Sequence, residues 1–369
     1  MLKSISIRNF KNIKSEEVDF ANLTVFVGAN ASGKTSILEA IHYATLATNG
    51  DPAKVFGYER HCDWLYTRGG EGDLSLVCET DGGQYGITAT CNSSLLGFSE
   101  DDRERLGSGI WAFERIPRDE VRRREALRTA KSMVFLHLSS SNLANESYSE
   151  NQPPRVELDG TGLASVLAYL KLSDDEAFEK IEDFMRKFIP HFRRIRIQKK
   201  SIRRVETEFI KIDEETIPRR ITRNYQGESL LFDFANSKNV SAHSVSEGTL
   251  LLLGLLTVVL GPIRPNILLM DDIEHGLHPL AQKQLLEVLA LLMNEFPNLQ
   301  VIASAHSPYL LDGLKPEQVR LVSADDQGYS IVRKLADHPD FDKWKDEMAP
   351  GEMWSMFGEK WETVREGKQ

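Results

Sequence analysis

Between Gly28 and Thr35 the chain reads Gly-Ala-Asn-Ala-Ser-Gly-Lys-Thr, directly after Val25-Phe26-Val27 and directly before Ser36-Ile37-Leu38-Glu39-Ala40-Ile41. The β-branched and aromatic triplet predicts a buried strand, and the run after Thr35 predicts a helix. Glycine at both ends lets the backbone turn tightly, so that successive N–H groups at the helix N-terminus point into one cradle suited to an anion. The spacing of Gly28, Gly33, Lys34 and Thr35 is that of a P-loop. In such a loop Asn30, Ala31, Ser32 and Ser36 complete the cradle, Lys34 reaches the terminal phosphates of ATP, and Thr35 ligates Mg2+.

The second half of the chain carries motifs that fit this cradle. After Asn266, residues 267–270 are continuously apolar, as in a strand buried on both faces of a parallel sheet, and they end in Asp271-Asp272. Asp271 is placed to hold Mg2+ beside Thr35, and Asp272 to orient or deprotonate the attacking water. An amphipathic helix over 279–296 leads to a second buried strand, 299–303, which ends in Ser304-Ala305-His306-Ser307-Pro308. Strand, helix, strand in that order is a βαβ unit, and its chemistry gathers at the carboxyl ends of the strands. His306 lies there and is positioned to hydrogen-bond a γ-phosphate. His275 and His278, near Glu274, read as turn and helix-start residues rather than metal ligands.

The remaining segments suggest an interrupted domain. Strands are expected at 2–8, 15–20 and 23–27, a helix from the P-loop to about residue 48, and a hairpin over 74–79 and 85–90 around Asp81-Gly82-Gly83. Helices follow after Gly162 and after Asp174, then three strands at 205–212, 218–224 and 229–234. On this reading 1–50 and 241–335 form the nucleotide core, 51–240 is an inserted lobe, and 336–369 is an aromatic tail with Trp344, Trp354 and Trp361 packed on the core. Two basic stretches stand out: Arg103 to Lys131, and Arg193, Arg194, Arg196, Lys199 and Lys200. The net charge of −10 excludes a uniformly basic nucleic-acid binder but leaves such local patches open to DNA. The longest apolar run, 250–262, is shorter than the roughly 20 residues a membrane span needs, and the N-terminus lacks a signal-peptide pattern. A cytoplasmic protein is expected. Cys62, Cys78 and Cys91 show neither disulfide nor zinc spacing.

Taken together, Ile5 to Asn12, the P-loop, Ser246-Glu247-Gly248-Thr249, the segment Leu269 to Pro279 and the segment Ser304 to Pro308 resemble the ABC-type ATPase heads of the SMC/RecF class, especially stand-alone RecF-like and OLD-family ATPases. The resemblance implies an α/β P-loop NTPase with a mixed-sheet core and an inserted β-hairpin and α-helical lobe. It also implies a homodimer, or higher homo-oligomer, with ATP sandwiched head to tail. Ser246 and Gly248 of one chain would approach the γ-phosphate held by the other, and Arg8 and Asn9 would touch the base or ribose. Asp272 stands where these heads usually carry glutamate, which implies slow turnover; Glu274 is the other carboxylate for that role. A Q-loop residue is left unassigned. The OLD nuclease domain and a long heptad-bearing arm are both absent from the sequence. The family reading is therefore a sensor for a separately encoded effector, such as a nuclease, in antiphage defence. The alternative is a RecF-like repair ATPase that uses the two basic stretches on DNA.

Overall fold

In this computed structural model the described residues are 1–52, 55, 65–92, 110–130, 132–212 and 215–358. The expected roles of Arg103, Arg105, Lys131 and Trp361 fall outside them. The chain begins with strands β1 (Leu2–Phe10), β2 (Ile13–Asp19) and β3 (Leu23–Val27), followed by helix α1 (Lys34–Asn49). Strands β4 (Leu74–Thr80), β5 (Gly83–Asn92) and β6 (Ile110–Ile116) come next, then α2 (Glu120–Ala130) and β7 (Met133–Leu136). Helices α3 (Leu163–Ser173) and α4 (Asp175–Phe188) precede two very long strands, β8 (Phe192–Ile212) and β9 (Glu215–Phe234), and the short β10 (Val240–Ser241). The chain continues through α5 (Glu247–Leu260), β11 (Ile267–Met270), α6 (Pro279–Glu295), β12 (Gln300–Ala305), β13 (Val319–Ala324) and β14 (Ser330–Lys334).

Two compact units result: Met1–Phe135 with Pro265–His275 and Leu285–Gln369, and Leu136–Arg264 with Gly276–Gln284. This division differs from the expected one at 50/51 and 240/241. The reason is strand pairing: β4, β5 and β6 extend β1 into a five-stranded antiparallel sheet, so the segment expected to open an insertion is part of the first unit.

The first unit carries two sheets. One has the order β2-β1-β4-β5-β6, and the other, mixed in direction, has β14-β13-β3-β12-β11-β7. Helix α1 packs on β4 and β5 of the first sheet and on β12 of the second, burying Ile37, Leu38, Ile41 and Ala44 completely. At roughly 1.5–3 kcal/mol per buried aliphatic side chain, this helix is held by burial and not by propensity. Gln300, itself buried, ties the sheets together. Its side-chain N–H groups donate to the carbonyls of Leu2 (2.8 Å) and Ala21 (3.0 Å), while its oxygen accepts from the Leu2 N–H (2.9 Å). In the tail, the Gly351 N–H donates to Asp312 Oδ1 at 3.0 Å and Met353 is buried, so Asp312 anchors the C-terminal helix.

The second unit is organised on α5, which is apolar almost throughout, and on α4, whose Phe178, Ile181, Met185 and Phe188 are buried. The three strands expected at 205–212, 218–224 and 229–234 are instead one continuous hairpin of β8 and β9, paired from Phe192 and Phe234 to Ile212 and Glu215. The basic residues at its foot are largely neutralised. Arg194 and Arg196 both donate to Asp233, Lys199 pairs with Glu228 at 2.6 Å, and Lys200 pairs with Glu146. In α2, Arg124 pairs with Glu120, and just before it Arg118 pairs with Glu114. Of the residues expected to touch phosphates, Arg118, Arg124, Arg194, Arg196, Lys199 and Lys200 are thus held in ion pairs within the chain. No helix among the described residues is long and apolar enough to cross a membrane.

Candidate functional site

The parallel register of the second sheet builds the site. Val25 lies beside Ala303, and Ala303 beside Met270, so β3, β12 and β11 end side by side. The P-loop, His306 and Asp271-Asp272 therefore leave neighbouring strands at their carboxyl ends. A cleft of about 550 Å³ opens there, lined by Asn30, Ala31, Gly33, Lys34, Thr35 and Ser36 from the loop, together with Asp272, His306, Lys11 and Asn12.

The two P-loop glycines are required for different reasons. A Cβ on Gly28 would sit 1.9 Å from the Val322 carbonyl oxygen of β13, so the loop can enter only where no side chain exists. Gly33 has φ +111°, a left-handed backbone that glycine adopts freely. It immediately precedes α1, whose first N–H groups have no intrahelical acceptor and point at the cleft. Lys34 Nζ donates to the carbonyls of Gly28 (2.9 Å) and Ala29 (2.7 Å), which holds the ammonium across the loop.

Thr35 Oγ1 donates to both carboxylate oxygens of Asp271, at 3.1 and 3.0 Å. Ser304 Oγ donates to Asp271 Oδ1 at 2.5 Å and accepts the Asp272 N–H at 2.8 Å. That serine at the end of β12 fixes both acidic residues at once, a role that its place in the sequence motif does not reveal. Asp272 has φ +48°, which is uncommon for a residue with a Cβ, and its Oδ1 lies 3.2 Å from His306 Nε2. Glu274 plays a different part. Its carboxylate accepts the backbone N–H of His306, and burial pushes its pKa above the ordinary carboxylate range.

Other expected residues are distributed less simply. Arg8 is exposed on β1, whereas Asn9 is 5 % exposed, with its amide donating to the carbonyls of Glu71 (2.8 Å) and Asp73 (3.0 Å). Lys11 and Asn12, which follow them and carried no expected role, line the cleft instead. They also line a neighbouring cavity of about 570 Å³ with Tyr66, Arg68 and Tyr329. Ser330 of β14 buttresses the loop, donating through Oγ to the Ser32 carbonyl (2.6 Å) and through N–H to the Asn12 carbonyl (2.8 Å). In the second unit, Ser246 is the N-cap of α5 with Oγ 2.8 Å from Thr249 Oγ1, and Gly248 stands in the first turn. A Cβ on Gly248 would meet Leu277 at 3.1 Å.

The donor set fits a magnesium nucleotide. Thr35 hydroxyl and Asp271 carboxylate are the hard oxygen ligands Mg2+ takes. Among the described residues, Ser32 Oγ and Asn12 Oδ1 are buried without a hydrogen-bond partner. Buried polar atoms of this kind cost about 1–3 kcal/mol each unless a ligand satisfies them. Both sit beside the loop.

A strand–loop–helix phosphate cradle with an acidic pair and a histidine at the carboxyl ends of adjacent parallel strands defines an SMC/RecF-like ABC-type ATPase head. The chain belongs to the AAA family described as "AAA domain, putative AbiEii toxin, Type IV TA system", whose model matches residues 23–312. It is 25% identical over 359 residues to the Septu protein PtuA of Bacillus mycoides (strain KBAB4), a match covering 92% of this chain and 43% of that one. It is 30% identical over 109 residues to the Retron Vc95 probable ATPase of Vibrio cholerae serotype O1 biovar El Tor, covering 26% of this chain and 21% of that one. The chain thus spans less than half the length of these relatives. Among solved structures, an SMC head bound to the C-winged helix domain of ScpA has the same fold, with a TM-score of 0.57 at 14% identity, covering 90% of this chain and 98% of that one.

Proposed function

We propose that the protein binds ATP with Mg2+ in this cleft, hydrolyses it slowly, and closes head to tail with a second copy around the nucleotide. We further propose that it serves in the cytoplasm as sensor or regulatory subunit for a separately encoded effector in bacterial antiphage defence. The observation that carries the reading is the convergence of Lys34, Thr35, Asp271, Asp272 and His306 at the ends of three adjacent strands. Lys34 and the α1 N–H groups hold the phosphates. Thr35 and Asp271 would hold Mg2+, which would offset phosphate charge. Asp272 orients the attacking water and takes its proton, while His306, steadied by Glu274, faces the terminal phosphate. The shared wall of Lys11 and Asn12 leads from the phosphates to the cavity at Tyr66 and Tyr329, where the nucleoside is accommodated. Ser246 and Gly248 complete the site of the partner copy. Likeness to a Septu protein and to a retron ATPase supports the placement in defence.

Two variants test this. Lys34→Ala is expected to lose nucleotide binding by tenfold or more, measured by equilibrium dialysis. Asp272→Ala is expected to keep ATP, elute as a dimer with it, and lose about a hundredfold or more in kcat, the usual worth of a general base. Wild-type hydrolysis by Asp272→Ala would remove Asp272 from the role.

A further inference from the structure

The phosphate cleft and the cavity beside it have two lining residues in common, Lys11 and Asn12. These form the turn between β1 and β2, whose last pair is Phe10 with Ile13. The turn is anchored from both sides: the Lys11 N–H donates to the Leu65 carbonyl at 2.6 Å, and the Asn12 carbonyl accepts the Ser330 N–H at 2.8 Å. In a nucleoside triphosphate the sugar lies between the phosphates and the base. With phosphates on the P-loop and the base towards Tyr66 and Tyr329, the wall common to both cavities faces the ribose.

The two side chains of that wall offer different chemistry. Lys11 can only donate, and its ammonium is paired with Glu39. Asn12 brings a carbonyl acceptor as well as donors. Its Nδ2 lies against the P-loop, 3.0 Å from where a Cβ on Gly33 would stand, and donates to the Ala31 carbonyl at 3.4 Å, the long end of hydrogen-bond range. Its Oδ1 is buried with no partner among the described residues. The amide is therefore weakly held. Turning it about its broad terminal torsion forfeits one long bond and brings an unmatched acceptor to the cleft.

Few groups can satisfy that acceptor. The phosphate oxygens of a nucleotide are largely acceptors themselves at neutral pH. The hydroxyls of Tyr66, Thr67 and Tyr329 already donate to the carbonyls of Gly72 (2.6 Å), Ile13 (3.0 Å) and Arg68 (3.0 Å). Asn9, which the family resemblance puts on the base or ribose, has its amide engaged by Glu71 and Asp73. What a bound nucleotide presents to Asn12 at this point is the pair of ribose hydroxyls.

We propose that Asn12 reads the sugar: its Oδ1 accepts a hydrogen bond from a ribose hydroxyl, so that the site takes ribonucleotides in preference to deoxyribonucleotides. The proposal rests on the ATP reading of the cleft and adds to it the choice of sugar.

The test is equilibrium dialysis of the full chain with Mg2+ and, in turn, ATP, 2′-deoxy-ATP and 3′-deoxy-ATP. Wild type is expected to bind ATP about tenfold more tightly than at least one of the deoxy analogues, the effect of about one hydrogen bond. Asn12→Leu, which is similar in size and lacks the acceptor, is expected to bind all three alike. Asn12→Asp, which keeps an acceptor, is expected to retain the preference even though its charge beside the phosphates weakens all three. A residue that only shaped the loop would move the three affinities together, so the ratio is the readout. Asn12→Ala, a smaller excision, carries the same comparison if Asn12→Leu fails to fold. The proposal is overturned if wild type binds the three nucleotides equally, or if the variant without an acceptor keeps the wild-type ratio. Wild type that binds none of them overturns the ATP reading itself, and the proposal with it.

Discussion

In the proposed mechanism Asp272 orients the attacking water and Glu274 steadies His306, and their surroundings differ accordingly. Asp272 occupies a left-handed backbone position, where aspartate and asparagine are tolerated better than longer side chains. Its N–H is held by Ser304, and its carboxylate faces His306. Glu274 reaches the His306 backbone and keeps one carboxylate oxygen, Oε2, buried with no hydrogen-bond partner among the described residues. A carboxyl whose folded pKa is raised binds its proton more tightly in the folded than in the unfolded chain. Its contribution is favourable at low pH and turns into a cost as pH rises past the unfolded value. Glu274→Gln keeps an acceptor for the His306 N–H without the charge, so its unfolding midpoint in urea should exceed wild type at pH 8 and approach it near pH 4. Glu274→Ala leaves that N–H unmatched and should lose about 1–3 kcal/mol at either pH. A Glu274→Gln variant less stable than wild type at pH 8 would mean that the carboxylate is held charged.

At the scale of the element, α1 links core and site, because the helix that presents Lys34 and Thr35 is also the helix clamped between the two sheets. His42 lies on it, 5.3 Å from the Phe135 ring, and burial lowers its pKa from 6.5 to about 4. The unfolded chain takes up a proton near pH 6.5 while the folded chain refuses it until about pH 4, so folding stability rises with pH across that window. Up to about 3 kcal/mol is at stake, and His42→Leu should flatten this part of the stability curve in urea titrations between pH 4 and 7. An unchanged slope would place the titration elsewhere. This helix is legible in the sequence because its start is dictated locally by Gly33 and its stop by Asn49-Gly50. So are the strands that carry Asp271 and His306, since each is a short apolar run ending in a polar group. The β8–β9 hairpin is legible only in part: strand is expected over 205–212, 218–224 and 229–234, but not the extension of β8 back to Phe192 nor the continuity of β9, because polar residues occupy both faces over much of its length. The membership of β4 to β6 in the first unit is not legible, because it rests on pairings such as Ser6 with Val77 that no local pattern encodes. The roles of Ser304, Ser330 and Asn12 are hidden for the same reason, as each acts on residues distant in sequence.

For the whole molecule, the proposed sandwich makes the two motif sets separable between chains. The cleft takes all its lining from the first unit, whereas Ser246 and Gly248 belong to the second. If two copies close head to tail, each composite site draws its P-loop from one chain and its signature helix from the other. A chain carrying Lys34→Ala still offers an intact α5 terminus, and one carrying Gly248→Trp still offers an intact P-loop. Alone, each variant should be inactive, the second because a side chain at residue 248 also meets Leu277. Mixed in equal amounts they should recover about a quarter of wild-type ATPase activity, because random pairing makes half the dimers heterodimers and each has one competent site. Phosphate release measured across mixing ratios should peak at equal proportions. Activity that stays at zero at every ratio, while both variants remain folded and Gly248→Trp still binds ATP, would show that the signature helix does not act across a dimer and that the site works within a single chain.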